Sequence, residues 1–206
     1  MMDNECAKNE VAAIMRRLYA RGLTTTLGGN VSLRLGEMVY ITPSQTDKGS
    51  IDASQIAIVG LDGTLYTPHL TKSMETPVHL AIYKTFPEVG TVVHAHPVFA
   101  SAFSAMELTI DTSLIAESRM MLKEVSKATF ALMGSEALSE NVVKAMKVSG
   151  AVLLENHGAI TTGASLTIAL ERMEVLENAA KITFITHLMS SKKTLTPEQI
   201  GWIDSM

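Results

Sequence analysis

Two stretches of the chain carry side chains that could do chemistry together. They are Thr91-Val92-Val93-His94-Ala95-His96-Pro97 and, further on, Glu155-Asn156-His157-Gly158. Residues two apart on an extended strand point to the same face, so His94 and His96 are expected side by side at the end of an apolar strand. A third imidazole, His157, follows the apolar run Ala151-Val152-Leu153-Leu154 in a tight loop, where Gly158 is expected to permit an unusual backbone angle. Three neutral imidazoles converging with one position left open form the donor set of a catalytic zinc site. An isolated His-x-His on a strand is more often a matter of packing and hydrogen bonds. The loop histidine turns the pattern toward metal.

Three segments ahead of the histidines are rich in small donors. Gly28-Gly29-Asn30-Val31-Ser32 offers backbone N–H groups and an amide side chain, and Thr42-Pro43-Ser44-Gln45-Thr46 offers hydroxyls. Lys72-Ser73-Met74-Glu75 lies at a predicted helix N-terminus, where unpaired N–H groups favour anions. Taken singly, each is ordinary turn chemistry. Beside three histidines they become candidates for binding an anionic substrate.

The elements that must position these groups alternate between helix and strand. Helical spacing of Val11, Ile14, Met15 and Leu18 predicts a helix over 5–21, and a polar Gly-rich loop covers 24–30. Strands are expected at 31–35 and 38–42 as a hairpin turned at Gly36-Glu37, and at 56–59 and 64–66 around Asp62-Gly63. Thr76 and Pro77 read as a cap and a first-turn proline of a helix running toward Phe86. The histidine strand follows, then a helix over 98–106, a strand over 126–130 and a helix over 135–146. Strands at 151–154 and 159–162 flank the His157 loop, a long helix spans 166–188, and a short one follows Thr196-Pro197. The long helix is apolar on more faces than one core needs, which points to subunit contacts. Hairpins with helices between them argue for an α/β sandwich over a strictly parallel sheet.

Composition sets the outer bounds. The chain has 206 residues, of which 47% are hydrophobic, and a single cysteine, Cys6. That length suits one domain, over 1–206, with a sizeable core. The lone thiol excludes an intrachain disulfide framework and a thiolate metal cluster. A net charge of −4 without a basic stripe argues against nucleic acid. No apolar run is long enough for a bilayer span, and the opening Met1-Met2-Asp3-Asn4-Glu5 lacks the pattern of a signal peptide, so a reducing cytoplasmic setting is expected. His69 and His187 have no partner pattern and are expected in solvent. His79, one turn after Glu75, reads as a structural residue, and the 13 methionines as core filler. Trp202 is expected to cover the site or a neighbouring subunit.

Taken in order, Gly29-Asn30-Val31-Ser32, Ile41-Thr42-Pro43, Glu75 with His79, Val93-His94-Ala95-His96 and Asn156-His157-Gly158 resemble the class II aldolase and adducin head-domain family. The likeness is strongest to its sugar-phosphate aldolase branch, typified by fuculose phosphate aldolase, and runs from the N-terminal helix to near Leu188. The resemblance implies a three-layer α/β sandwich with a central, mainly antiparallel sheet flanked by helices. It implies Zn2+ or another divalent metal on His94, His96 and His157, with Glu75 as the acid/base. It implies a sugar phosphate met by Asn30, Ser44, Gln45, Ser73 and Met74, and a homotetramer with sites between subunits. The reaction implied is cleavage of a small ketose phosphate through a metal-stabilised enediolate.

Several positions depart from that pattern. Gln45 stands where a glycine is usual, and Met74 replaces a second serine, exchanging a hydroxyl donor for a thioether. No tyrosine occurs in 110–121, where related aldolases place a proton donor from the neighbouring subunit; Glu117 or Ser118 would have to stand in. Family epimerases generally carry Asp at the position of Glu75, so Glu75 favours the aldolase. A dehydratase or a decarboxylase of keto acid phosphates shares the same chemistry. A non-catalytic assembly domain of the adducin-head kind would have lost metal ligands that are present here.

Overall fold

The computed structural model describes residues 3–206; Met1 and Met2, part of the opening read for a targeting signal, lie outside them. Helix α1 (Asn4–Ala20) begins where the Asp3 carboxylate accepts the Cys6 amide, and it buries Val11, Ile14, Met15 and Leu18 along one face. Strands β1 (Asn30–Leu35) and β2 (Met38–Ile41) form the expected hairpin, turned at Gly36 with φ +59°. β3 (Ala57–Gly60) extends it. The strand expected at 64–66 reduces to one bridge, Val59 to Leu65, because the Asp62 carboxylate takes the Thr64 amide and hydroxyl and holds a tight turn.

Helix α2 (Thr76–Thr85) starts one residue earlier than its Thr-Pro signal suggests, with Glu75 in the cap position and Pro77 in the first turn. β4 (Thr91–Ala95) follows, then α3 (Val98–Ser104), α4 (Ala116–Leu122) and β5 (Ser126–Ala128). β5 ends before Phe130, whose amide is taken by the Glu155 carboxylate. Helix α5 (Glu136–Met146) is capped by Ser135, and β6 (Ala151–Leu154) and β7 (Gly158–Gly163) enclose the His157 turn. The long α6 (Leu166–Leu188) and the exposed α7 (Pro197–Asp204) close the chain.

The seven strands make one sheet in the order β3-β2-β1-β4-β7-β6-β5. All neighbours are antiparallel except the outermost pair, β5 and β6. Strand alternation sends Val31, Val93, Leu153 and Ala159 to a core shared with α1, α3 and α6. It sends Val39, Val92, Val152 and Ile160 to a second core under α2 and α5. The result is the three-layer sandwich the resemblance implied, with β4 in the middle of the sheet. No helix is long and apolar enough to cross a membrane among the described residues. The methionines divide: Met15 and Met173 are core, whereas Met74, Met106, Met133 and Met189 are exposed. Only the first group fits their reading as filler.

Candidate functional site

The site grows from the C-terminal end of β4. Because Val93 and Ala95 face the α1 side, His94 faces α2, directly opposite Asn30 of β1. His96 lies just past the strand, its amide donating to the Leu23 carbonyl at 3.0 Å. The β6–β7 turn brings in His157, and the three rings meet with centroids 4.7, 4.8 and 5.3 Å apart. Their candidate ligand atoms all lie within 4.8 Å of one another.

Glycine makes this convergence possible, but through space more than through angle. The left-handed residue of the turn is Asn156, with φ +54°, which corrects the expectation that Gly158 supplies the unusual backbone angle. Gly158 is needed for room: a Cβ there would sit 2.6 Å from both the Ala95 carbonyl oxygen and His96 Cδ2. A Cβ on Gly28 would come within 2.8 Å of His96 Nδ1. The imidazoles are thus cradled by bare backbone.

The electrostatics ask for a cation. Burial, reinforced by the His157 ring, pushes His94 down to about 3; burial and the two neighbouring rings push His96 down to about 4. Both are therefore neutral near pH 7. His94 Nδ1 lies 3.0 Å from the Ala159 carbonyl, which can only accept, so Nδ1 carries the proton and Nε2 presents a lone pair. That lone pair faces Glu75 Oε2 at 3.0 Å, and His157 Nε2 is 3.5 Å from Glu75 Oε1. His94 Nε2, His96 Nε2 and Glu75 Oε1 are buried without a hydrogen-bond partner. Lone pairs facing lone pairs in a buried site are costly unless positive charge sits between them. The donor set fits a divalent metal ion, and three nitrogens suit zinc.

Glu75 reaches this point because it forgoes capping; no side-chain bond to the helix amides is made. Its orientation comes from a polar stripe on α2, where Glu75, His79 and Tyr83 recur at four-residue spacing facing β1. Asn30 Nδ2 donates to Glu75 Oε2 at 2.8 Å, and Asn30 Oδ1 meets His79 Nε2 at 2.5 Å. His79 Nδ1 then meets Ser32 Oγ at 2.6 Å, and Ser32 Oγ meets the Tyr83 hydroxyl at 2.7 Å. Burial drives His79 down to about 3 and raises the Tyr83 phenol, so both remain neutral. With His79 neutral, Nε2–H donates to Asn30, and this fixes which end of the Asn30 amide faces Glu75.

A pocket of about 190 Å³ opens over these groups, lined by Asn30, Ser44, Ser73, Met74, Glu75 and the three histidines. Ser44 Oγ accepts the Met74 amide at 3.2 Å, and Ser73 Oγ accepts the Glu75 amide at 3.3 Å, so each hydroxyl proton stays available. Met74 is an exposed rim residue. Gln45 does not line the pocket; it is exposed at φ +57°, a left-handed backbone that explains why glycine suits the position. Glu117 and Ser118 lie on α4 and do not line this pocket in their own chain. A larger cavity, about 590 Å³, lies between α3, α4 and α6 and shares no lining residue with the histidine pocket. Among the described residues only the histidine pocket holds a cluster of side chains that could hold a metal ion, which makes it the candidate site. Sequence reasoning missed Tyr83 and also Lys48, a buried lysine of the pocket wall that reads in sequence as an ordinary polar-loop charge.

The sequence profile described as Class II Aldolase and Adducin N-terminal domain matches residues 9–184. An L-fuculose phosphate aldolase of Methanococcus maripaludis is 34% identical over 176 residues, covering 85% of this chain and 95% of that protein. A 3-oxo-tetronate 4-phosphate decarboxylase of Pectobacterium atrosepticum is 31% identical over 184 residues, covering 87% and 84%. Among solved structures, an L-fuculose 1-phosphate aldolase superposes with a TM-score of 0.89 at 27% identity, over 97% of this chain and 94% of that one.

Proposed function

Since this chain belongs to the class II aldolase and adducin family, we propose that it is a zinc-dependent lyase that cleaves a carbon–carbon bond of a small ketose phosphate by a retro-aldol step. The observation that carries this reading is the Glu75 carboxylate set among three converging imidazoles, with Nε2 of His94, Nε2 of His96 and its own Oε1 buried without partners. His94, His96 and His157 would hold the metal, which when bound supplies Lewis-acid polarisation of the substrate carbonyl, worth several kcal/mol.

The remaining steps fall to side chains. When the bond breaks, the electron pair stays on the carbon next to the carbonyl, and that carbon must gain a proton. The hydroxyl that becomes the aldehyde gives up a proton as the bond breaks, which balances the one the carbon gains. Glu75, once protonated, stands beside the histidines to deliver that proton, and as the carboxylate to remove it in the direction of synthesis. Asn30 holds Oε2 of Glu75 with one N–H, leaving Oε1 for the proton. His79, Ser32 and Tyr83 are positioning residues that act through Asn30. The hydroxyls of Ser44 and Ser73 supply donors for the phosphate end. His94 and His96, held neutral by burial, would leave a bound metal's positive charge undiminished.

We further propose a homotetramer with sites between subunits, the single fold unit serving as protomer. Exposed apolar residues Leu27, Met74 and Met133 edge the pocket, and Phe184, Ile185 and Leu188 lie exposed at the end of α6. Closed symmetric assemblies are the usual way such surfaces are covered.

A decarboxylase of a keto acid phosphate is the second reading, favoured by the likeness to the Pectobacterium protein. It places the same electron pair on the same carbon, with carbon dioxide leaving in place of an aldehyde. Product analysis of zinc-loaded protein against ketose phosphates and 3-oxo acid phosphates separates the two. Release of an aldehyde with dihydroxyacetone phosphate supports the aldolase; carbon dioxide release without aldehyde overturns it in favour of the decarboxylase.

A further inference from the structure

One charged group of the pocket has no task in the steps above. Lys48 is 1% exposed, yet it lines the histidine pocket. Its ammonium donates to the Pro43 carbonyl at 2.5 Å, and its backbone N–H donates to the Thr26 carbonyl at 2.9 Å. The first bond folds the loop after β2 on itself beside Ser44, and the second pins it to the loop before β1. An ammonium has three donors, and one carbonyl uses one. Among the described residues no carboxylate pairs with it; the ion pairs lie elsewhere. A buried cation with no counter-ion and spare donors, on a residue that lines a cavity, suits an anion that arrives with the substrate. Burial lowers Lys48 only to about 8, so it stays mostly charged near neutrality.

The sequence of this pocket leaves a matching need. Met74 offers no hydroxyl, and the side-chain hydroxyls that line the pocket to receive an anion are Ser44 and Ser73. A charged donor is stronger than such neutral ones, roughly twice as strong by general experience. Building on the proposed lyase reading, we infer that Lys48 is the residue that receives the substrate's phosphoryl group, with Ser44 and Ser73, and that it makes phosphorylated substrates the class this pocket selects.

The test uses Lys48→Met, which keeps the length of the side chain and removes its charge, in zinc-loaded protein checked for unchanged metal content and thermal unfolding. Titration with inorganic phosphate should give binding at least about tenfold weaker than in the unaltered chain, and KM for a phosphorylated ketose should rise by about 10–100-fold with kcat changed much less. For the unphosphorylated ketose the two proteins should behave alike. Equal phosphate binding by both proteins overturns the assignment even if both cleave ketose phosphates. Lost phosphate binding in the variant supports it even if the pocket's reaction is of another kind. Should Lys48→Met not fold, the 15N-labelled ammonium of Lys48 in the unaltered protein decides: its resonance must shift with inorganic phosphate. No shift, or an equal shift with acetate, overturns the phosphoryl assignment.

Discussion

At the scale of single residues, the site is a compromise between burying polar groups and leaving them ready. Glu75, Asn30, His79 and Ser32 are all buried, and each is held by the next. His79 takes no part at the pocket surface, but without it the Asn30 amide could turn its oxygen toward Glu75 and repel it. Its burial has a measurable consequence. The folded chain resists protonating His79 down to about 3, whereas an unfolded chain takes the proton near the ordinary 6.5. The corresponding stability is fully present above about 6.5 and is lost as pH falls toward 3, by up to about 1.4 kcal/mol per pH unit. His94 and His96, also depressed by burial, add to the loss in the same direction. Urea unfolding of metal-free protein at about pH 7 and about pH 5 should show this loss, and His79→Gln should make it shallower. A variant with the same acid loss as the unaltered chain would show that His79 is not buried neutral. The residues of this network were unequally legible in sequence. The histidines and Glu75 announced themselves by type and spacing. Tyr83 and Lys48 did not, because an apolar helix and a polar loop hide which side chains turn inward.

At the scale of elements, the central position of β4 decides the geometry. β4 pairs with β1 on one side and β7 on the other, so Asn30, His94 and the His157 turn are brought to one end of the sheet by backbone hydrogen bonds alone. The strands that do this were readable from apolar runs and turn residues, as were α1, α5 and α6 from helical period and caps. α4 was not, since Ala116–Leu122 makes two turns without a side-chain cap and holds its place by packing on α6 and α7. The Thr64–Tyr66 strand was shortened for the opposite reason: its composition suits a strand, but the Asp62 turn takes the Thr64 donors, and only the Thr64 carbonyl and the Tyr66 amide still bond to β3. The close approach of β7 to β4 gives a prediction at this scale. Gly158→Ala would press a methyl against the Ala95 carbonyl and His96, both at 2.6 Å. We expect a stability loss of about 1–3 kcal/mol and weaker zinc binding, read by thermal unfolding and by chelator competition. Unchanged zinc affinity would mean that the cradle does not set the histidine geometry.

At the scale of the whole molecule, two apolar cores enclose the sheet, and apolar side chains remain exposed beside the pocket and at the end of α6. The expectation drawn from the long helix is thereby narrowed. Most of its apolar faces are covered within the chain by α1, α3 and α4, and its large exposed apolar residues are Ile168 in the first turn and Phe184, Ile185 and Leu188 in the C-terminal part. Sedimentation at micromolar concentration should give a tetramer, and Phe184→Glu with Leu188→Glu should dissociate it. A protein that sediments only as monomer would contradict the proposed assembly. The proposed function puts a metal on the three histidines and the Glu75 carboxylate at one carbon atom of the substrate, and this is open to a direct measurement. Zinc-loaded protein, carrying about one equivalent per chain, is incubated with dihydroxyacetone phosphate in deuterated water, and exchange at the hydroxymethyl carbon is followed by NMR. The unaltered chain should exchange that proton, and Glu75→Gln should slow exchange by about 10²–10⁴-fold while keeping its zinc. Full exchange by a zinc-loaded Glu75→Gln variant would contradict the account, because the proton would then be moved by a group other than the carboxylate set among the histidines.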